Sequence, residues 1–410
     1  MRRLLAVALG LMLVGGTATS LAAPPMVIGA VYPTRGTQGA GGLEEFRGVE
    51  LAAAYVNQHG GVHGRPIRLQ LAEAASYDAA PGAVEQLADA GIAIVVGSYG
   101  STISRPAAET ATRLGLVFWE TGAVGQLGME ASAGSRVFRV SPTGARLGRA
   151  AVEFVRDELA PRLRRTHPLR YAVTYVDDVY GRAVGLGALA EIRESGLPLA
   201  GTVPYQLRGL RSVDLASRIA GIRPDVVVVA AYLEDGIELR RALVGAHVPL
   251  VANIGTSSSY CMPAFGRLLG PAAVGVFASD KPDGDVLRPD RLAPAAGQAL
   301  RWADAEYHRR YKESLSAPAV AGLAGGIALF QHVLPRARDF SAEAVARAAR
   351  EVTLPEGALP NGSGLAFGPP GTPEASANLR ATSVIWEWIG LNTRAVVWPP
   401  TFATHPIAFP

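Results

Sequence analysis

Short β-branched runs, each closed by glycine and polar residues and followed by a stretch of helical spacing, recur along this chain. That alternation leaves few folds open, because strands separated by crossover helices pair in parallel. Residues 26–32, 66–71, 92–96, 116–119 and 137–140 read as strands, with helices at 43–58, 79–90 and 107–114. Phe46, Val49, Ala53 and Val56 mark the buried stripe of the first helix. The pattern restarts after Ser141-Pro142, with strands at 170–176, 199–205, 225–231, 249–252 and 274–279. Helices at 147–159, 182–195, 213–220 and 234–245 alternate with them. The expected fold class is α/β, two doubly wound parallel-sheet units in succession, with ligand chemistry at the carboxyl ends of the strands. Two longer helices follow, 295–315 and 318–334, the second with Gly322, Gly325 and Gly326 suited to close backbone packing. From 354 onward the chain is rich in Pro and Gly, with a strand at 381–389 that puts Trp386 and Trp388 on one face.

The stretch 92–107 concentrates the chemistry. A buried strand runs into Gly97 and Gly100, which allow a tight turn. Ser101, Thr102 and Ser104 are N-cap residue types, and Pro106 is expected in the first turn of the helix that follows. Free N–H groups, hydroxyls and the helix dipole then make an anion site.

Half of the 410 residues are hydrophobic, so a large core is available. Only Lys281 and Lys312 of the 39 basic residues are lysines, and no basic run or aromatic-basic patch occurs. With a net charge of +4, nucleic acid is not an expected partner. Met1-Arg-Arg, an apolar centre from 4 to 16 and small residues before Pro24 read as a signal peptide over 1–22. No cysteine lies near the cut, so a lipoprotein is not expected. Cys261 stands alone and reads as a small buried hydrophobe, which leaves the exported fold without an internal disulfide.

Several pieces, in order and spacing, carry a resemblance. They are Phe46-Arg-Gly-Val-Glu-Leu-Ala-Ala-Ala-Tyr-Val-Asn57, Gly60-Gly-Val-His-Gly64, Val96-Gly97 with Ser101 and Pro106-Ala107, Asp178-Val-Tyr-Gly181, and Val274-Gly-Val276. Across nearly all of the chain after residue 25, the sequence resembles the leucine/isoleucine/valine-binding proteins, type I periplasmic solute-binding components of ABC transporters. The resemblance implies two lobes with a ligand cleft between them, 26–142 with 279–350 and 143–278 with 351–410. It implies that Ser101 and the backbone near Gly122 and Ala123 hold a ligand carboxylate, and that Tyr180 and Tyr232 close over it from the other lobe. It also implies a periplasmic protein that delivers its ligand to a membrane permease, here expected as a monomer. The full expected site is Tyr99, Ser101, Thr102, Glu120, Gly122, Ala123, Asp178, Tyr180, Tyr232 and Thr256, with Trp119 as a further stacking surface.

Three departures from the family pattern matter. The loop 253–259 lacks the acid that faces a ligand ammonium, Val124 stands in place of a Thr, and Gly41 in place of a cleft aromatic. Either Glu120, Asp178 or Glu234 replaces that acid, or the ligand carries no ammonium; the second is the expectation, because an unpaired buried ammonium costs several kcal/mol. The expected ligand is accordingly a small carboxylate, amide or aromatic acid.

Enzyme readings find less support. Gly36, Gly39 and Gly41 do not have dinucleotide-fingerprint spacing, and the seven histidines are scattered. The hydroxyls of 256–259 have no partnered histidine at a recognisable spacing. No catalysis, metal or cofactor is expected. A soluble sensor of the same fold, signalling to a membrane receptor, is the alternative function.

Overall fold

A computed structural model describes residues 23–36, 38–128, 135–163, 166–372 and 374–408. The expected signal peptide lies outside them. The chain opens with β1 (Met26–Tyr32), α1 (Gly39–Gln58), β2 (Ile67–Glu73), α2 (Ala79–Asp89), β3 (Ile94–Gly97), α3 (Ser101–Arg113), β4 (Val117–Glu120) and β5 (Val137–Arg139). These strands form one sheet in the order β2-β1-β3-β4-β5, parallel throughout. The order reverses at β1 beside β3, and such switch points open a crevice at the carboxyl ends of the strands.

The next elements are α4 (Gly144–Phe154), β6 (Tyr171–Val176), α5 (Val179–Glu194), β7 (Leu199–Tyr205), α6 (Ser212–Ile222), β8 (Val226–Ala230), α7 (Leu233–Gly245), β9 (Ala252–Thr256), α8 (Pro263–Leu269) and β10 (Phe277–Asp280). Then come α9 (Pro294–Tyr311), α10 (Ala317–Ile327), α11 (Ala342–Glu351), β11 (Val384–Gly390) and β12 (Thr393–Trp398). The second sheet runs β12-β11-β10-β9-β8-β6-β7, parallel from β10 to β7 and antiparallel at the added β11 and β12. β8 is buried on both faces, as its unbroken Val226-Val-Val-Val229 run requires. On β11 the period of two puts Trp386 and Trp388 into the core, and their indoles donate to the carbonyls of Lys281 and Tyr260.

α9, α10 and α11 return to the first sheet. Tyr307, Leu323, Phe330 and Val345 share one core with Ile28, Val49, Val96 and Trp119. α1 and α10 meet almost backbone to backbone: a Cβ on Gly322 would lie 1.9 Å from the Glu45 carbonyl oxygen, and one on Gly48 2.0 Å from that of Ala319. The helical run Ala317–Arg336 is long and apolar enough to cross a membrane, but it is mostly buried inside this lobe.

The second lobe was expected to resume at 351. Instead Leu354, Leu359 and Leu365 pack in the first core, and Asn378 donates to the carbonyls of Val140 and Gly364. The last crossing therefore falls between 378 and β11.

Other boundaries shift for local reasons. α1 begins inside the expected glycine loop, where Gly42 passes so close to Pro33 that a Cβ would sit 2.2 Å from its carbonyl oxygen. α3 begins at Ser101, with Gly100 as its extended cap, so Ser101, Thr102 and Ser104 lie within the helix and Pro106 in its second turn. The strand expected at 249–252 is β9, which takes up much of the expected 253–259 loop. Gly255 fits there because the Tyr260 ring lies on it, 2.0 Å from where a Cβ would be.

Candidate ligand cleft between the two lobes

The carboxyl ends of β1, β3 and β4 bring Tyr32, Ser98 and Glu120 together, and α1 adds Glu45. Tyr32 donates to Thr121 Oγ1 (2.5 Å), which donates to Glu45 Oε1 (2.6 Å). Glu45 is fully buried, and burial pushes its carboxyl well above the usual carboxylate range against the opposing pull of Lys281. Its other oxygen, Oε2, has no hydrogen-bond partner among the described residues and lies against Gly122, where a Cβ would be only 1.9 Å away.

Backbone N–H groups from the ends of β3 and β4 converge on the chain's own Glu120. Glu120 Oε1 accepts from the N–H groups of Gly122 (2.8 Å) and Ala123 (2.7 Å), and Oε2 from that of Ser98 (2.8 Å). Burial pushes this carboxyl up to about 7 although those donors favour its charged form. Ser101 Oγ accepts from Gly125 N–H at 2.9 Å, and Thr102 Oγ1 from the Gln38 amide at 2.8 Å. Tyr99 lies over Gly41: a Cβ at position 41 would come within 2.4 Å of its ring. Burial pushes the Tyr99 phenol upward.

From the second lobe, Asp178, Tyr180, Tyr232 and Thr256 converge at the ends of β6, β8 and β9. Asp178 Oδ1 caps α5 by accepting from Gly181 N–H (2.8 Å), and Oδ2 accepts from the Tyr232 hydroxyl (2.7 Å). The Tyr180 hydroxyl meets Thr256 Oγ1 at 3.0 Å and donates to the Ser257 carbonyl. The two tyrosine rings lie 5.3 Å apart. Trp119 is not in this group: its indole donates to the Gly325 carbonyl (2.9 Å) and its ring packs on Phe138 and Phe367, which makes it core.

Contacts cross between the lobes over these groups. Lys281, just past the end of β10, is buried and donates to the Gly122 carbonyl at 2.9 Å. A Cβ on Gly125 would come 2.8 Å from Val179 Cγ1 of α5. Cys261 is buried as expected, donates to Asp280 Oδ2 (2.7 Å), and has its thiol pushed up by burial. Asp280 Oδ1 has no partner among the described residues. A surface hollow of about 400 Å³ lined by Asp177, Gln206, Arg208, Arg211 and Arg218 shares none of these residues.

Sequence reasoning missed Glu45, Asp280 and Lys281. Signals existed: Glu45 continues the stripe of Val49, Ala52 and Val56 at helical spacing, and Lys281 is one of two lysines.

The model of the family described as periplasmic binding protein matches residues 25–380. The chain belongs to the periplasmic binding protein family. This solute-binding protein is 26% identical over 396 residues to the Leu/Ile/Val-binding protein homolog 8 of Brucella suis, covering 94% of each chain. To homolog 7 of Brucella melitensis it is 25% identical over 420 residues, covering 100% of this chain and 99% of the relative. Its fold matches a leucine-binding protein of Thermotoga maritima with a TM-score of 0.74 at 16% identity, over 90% of this chain and 97% of that one. A branched-chain amino acid transporter binding protein of Streptococcus pneumoniae, solved with isoleucine, matches with a TM-score of 0.70 at 17% identity, over 92% of this chain and all (100%) of that one. Membership of this family makes the chain a solute-binding protein rather than an enzyme.

The three acids expected as stand-ins for the one missing from the 253–259 segment have different surroundings. Glu120 is held by its own loop, Asp178 by its helix cap and Tyr232, and Glu234 is exposed.

Proposed function

We propose that this solute-binding protein works in the periplasm, captures a small polar ligand by closing its two lobes, and delivers it to the membrane permease of an ABC transporter. The ligand belongs to the range spanned by branched-chain amino acids, amides and small aromatic acids. The observation that carries this reading is the meeting of groups from both lobes at one place: Lys281 donates to the Gly122 carbonyl, and Val179 of α5 lies against Gly125. The Leu/Ile/Val-binding relatives and the leucine-binding neighbour in fold support the same class.

Closure follows from contacts made only when both lobes are present around the ligand. The hinges are the three crossings: Ser141, whose hydroxyl donates to the Thr121 carbonyl (2.5 Å), Ser279, whose hydroxyl donates to that of Leu147 (2.8 Å), and residues 379–383. Ser101, Thr102, Gly122 and Ala123 serve the first lobe's wall, and Tyr180, Tyr232, Asp178 and Thr256 the second.

A thermal-shift screen of the protein without residues 1–22 tests the reading. Aliphatic amino acids, amides and aromatic acids form the panel, since native-state binding raises the melting temperature by mass action. Stabilisation by members of this range is expected. Stabilisation only by unrelated solutes such as sugars would reject it.

A further inference from the structure

The surface hollow of the second lobe collects positive charge that the chain itself leaves unneutralised. It lies past the carboxyl ends of β6 and β7, encloses about 400 Å³, and is lined by Arg208, Arg211 and Arg218 with Asp177 and Asp214. That volume falls in the range of small-molecule sites. After β7 the chain turns at Gly209, in left-handed backbone (φ +74°) that glycine adopts freely, which brings Arg208 and Arg211 to one hollow. Arg211 and Arg218 are seven residues apart, two helical turns, so both lie on one face of α6 with the buried Leu215 between them.

Both carboxylates are already taken. Asp177 pairs with Arg182 of α5 and accepts from the Gln206 amide at 3.0 Å. Asp214 stands four residues before Arg218, the spacing of a helical ion pair, yet its partner is Arg211 at 3.4 Å. Arg208 and Arg218 have no ion pair or hydrogen bond among the described residues. The N-cap of α6 is Arg211 itself, with no side-chain cap. A cation at that end opposes the helix dipole, and a concavity lined by one sign of charge focuses the field on an incoming anion.

A guanidinium presents a planar fork of N–H donors that matches phosphate oxygens two at a time. Two such groups without counter-charge suit a divalent oxyanion, because a single carboxylate neutralises only one of them. A phosphate monoester carries about −1.5 to −2 charges at neutral pH. We infer that this hollow is a second binding site, outside the cleft, for a phosphoryl group held between Arg208 and Arg218. The inference goes beyond the solute-capture reading and does not depend on it. Free phosphate and an anionic lipid headgroup offer the same chemistry, and the exposed Leu207 and Val213 beside the arginines suit the second source.

Isothermal titration calorimetry of the protein without residues 1–22, at constant ionic strength, compares inorganic phosphate with acetate. Co-sedimentation with phosphatidylglycerol vesicles, against phosphatidylcholine vesicles, tests the lipid source. Phosphate is expected to bind at least about tenfold tighter than acetate. Arg208→Gln on the loop and Arg218→Gln on the helix should each weaken it about tenfold with an unchanged melting temperature. Arg193→Gln, which removes an exposed charge of α5 outside the hollow, should leave it unchanged. Retention on the anionic vesicles alone, lost in the same two variants, supports the site with a headgroup as the source. Acetate equal to phosphate, or binding indifferent to Arg208→Gln and Arg218→Gln, would overturn the inference. So would silence from phosphate together with no retention on anionic vesicles. The thermal-shift screen of the cleft reads solute capture separately, so the two can fail independently.

Discussion

At the scale of single residues, the cleft is governed by carboxyl groups kept from water. Glu120 has a folded value of about 7, above its ordinary 4.5. A raised carboxyl stabilises the fold fully below the unfolded value and loses that contribution as pH rises through the folded one. Glu120 should therefore lower unfolding free energy by up to about 3 kcal/mol between pH 4.5 and 7, with Glu45 acting in the same direction. Urea unfolding at pH 5 and pH 8 should show this decline, and Glu120→Gln should flatten part of it. A decline of equal size in the variant would remove Glu120 as its source. Ser101→Ala leaves the Gly125 N–H without its acceptor, so a loss of about 1–3 kcal/mol in stability is expected. An unchanged melting temperature would show that water replaces the hydroxyl. The side chains at this scale were legible by position more than by role. Ser101 stood out from a strand-turn-helix pattern, whereas Gly122 and Ala123 came from the family resemblance and Glu120 from the search for a replacement acid. That Glu120 consumes the donors depends on a rotamer, which spacing does not specify. Glu45 was passed over because a carboxylate on an apolar stripe looks like a break in the stripe.

At the scale of elements, glycine placement separates packing from permission. Gly48 and Gly322 let α1 and α10 touch, with Cβ positions only 2.0 and 1.9 Å from opposing carbonyl oxygens. Gly48→Ala should cost at least about 1–3 kcal/mol through overpacking. Gly82, on the exposed face of α2, has nothing within 4 Å of its Cβ position. Gly82→Ala should instead stabilise by up to about 1 kcal/mol. Chemical denaturation of both variants checks the contrast, and equal effects would show that the helix contact does not matter. Most strands were readable because apolar β-branched runs allow little else. β9 was not, since Asn253, Gly255 and Thr256 look like loop residues until Tyr260 covers the glycine. The alanine-rich α11, capped by Ser341 accepting from Ala344 N–H (3.3 Å), went unassigned for want of large apolar residues on its stripe. β12 was missed as well: it is an edge strand defined by its pairing with β11.

At the scale of the whole molecule, three crossings join two sheets, and the chain returns to the second only after residue 378. Sequence pattern alone separated two α/β units. The family resemblance put the last crossing near 350, whereas Leu354, Leu359 and Leu365 join the first core within a segment that reads as loop. The central claim is that these lobes move against each other around a ligand. Small-angle X-ray scattering on the protein without residues 1–22, with and without a saturating compound that raises its melting temperature, measures this directly. A smaller radius of gyration is expected in the bound sample, because a two-lobed protein that closes becomes more compact. An identical scattering curve for the free and saturated protein would contradict capture by closure.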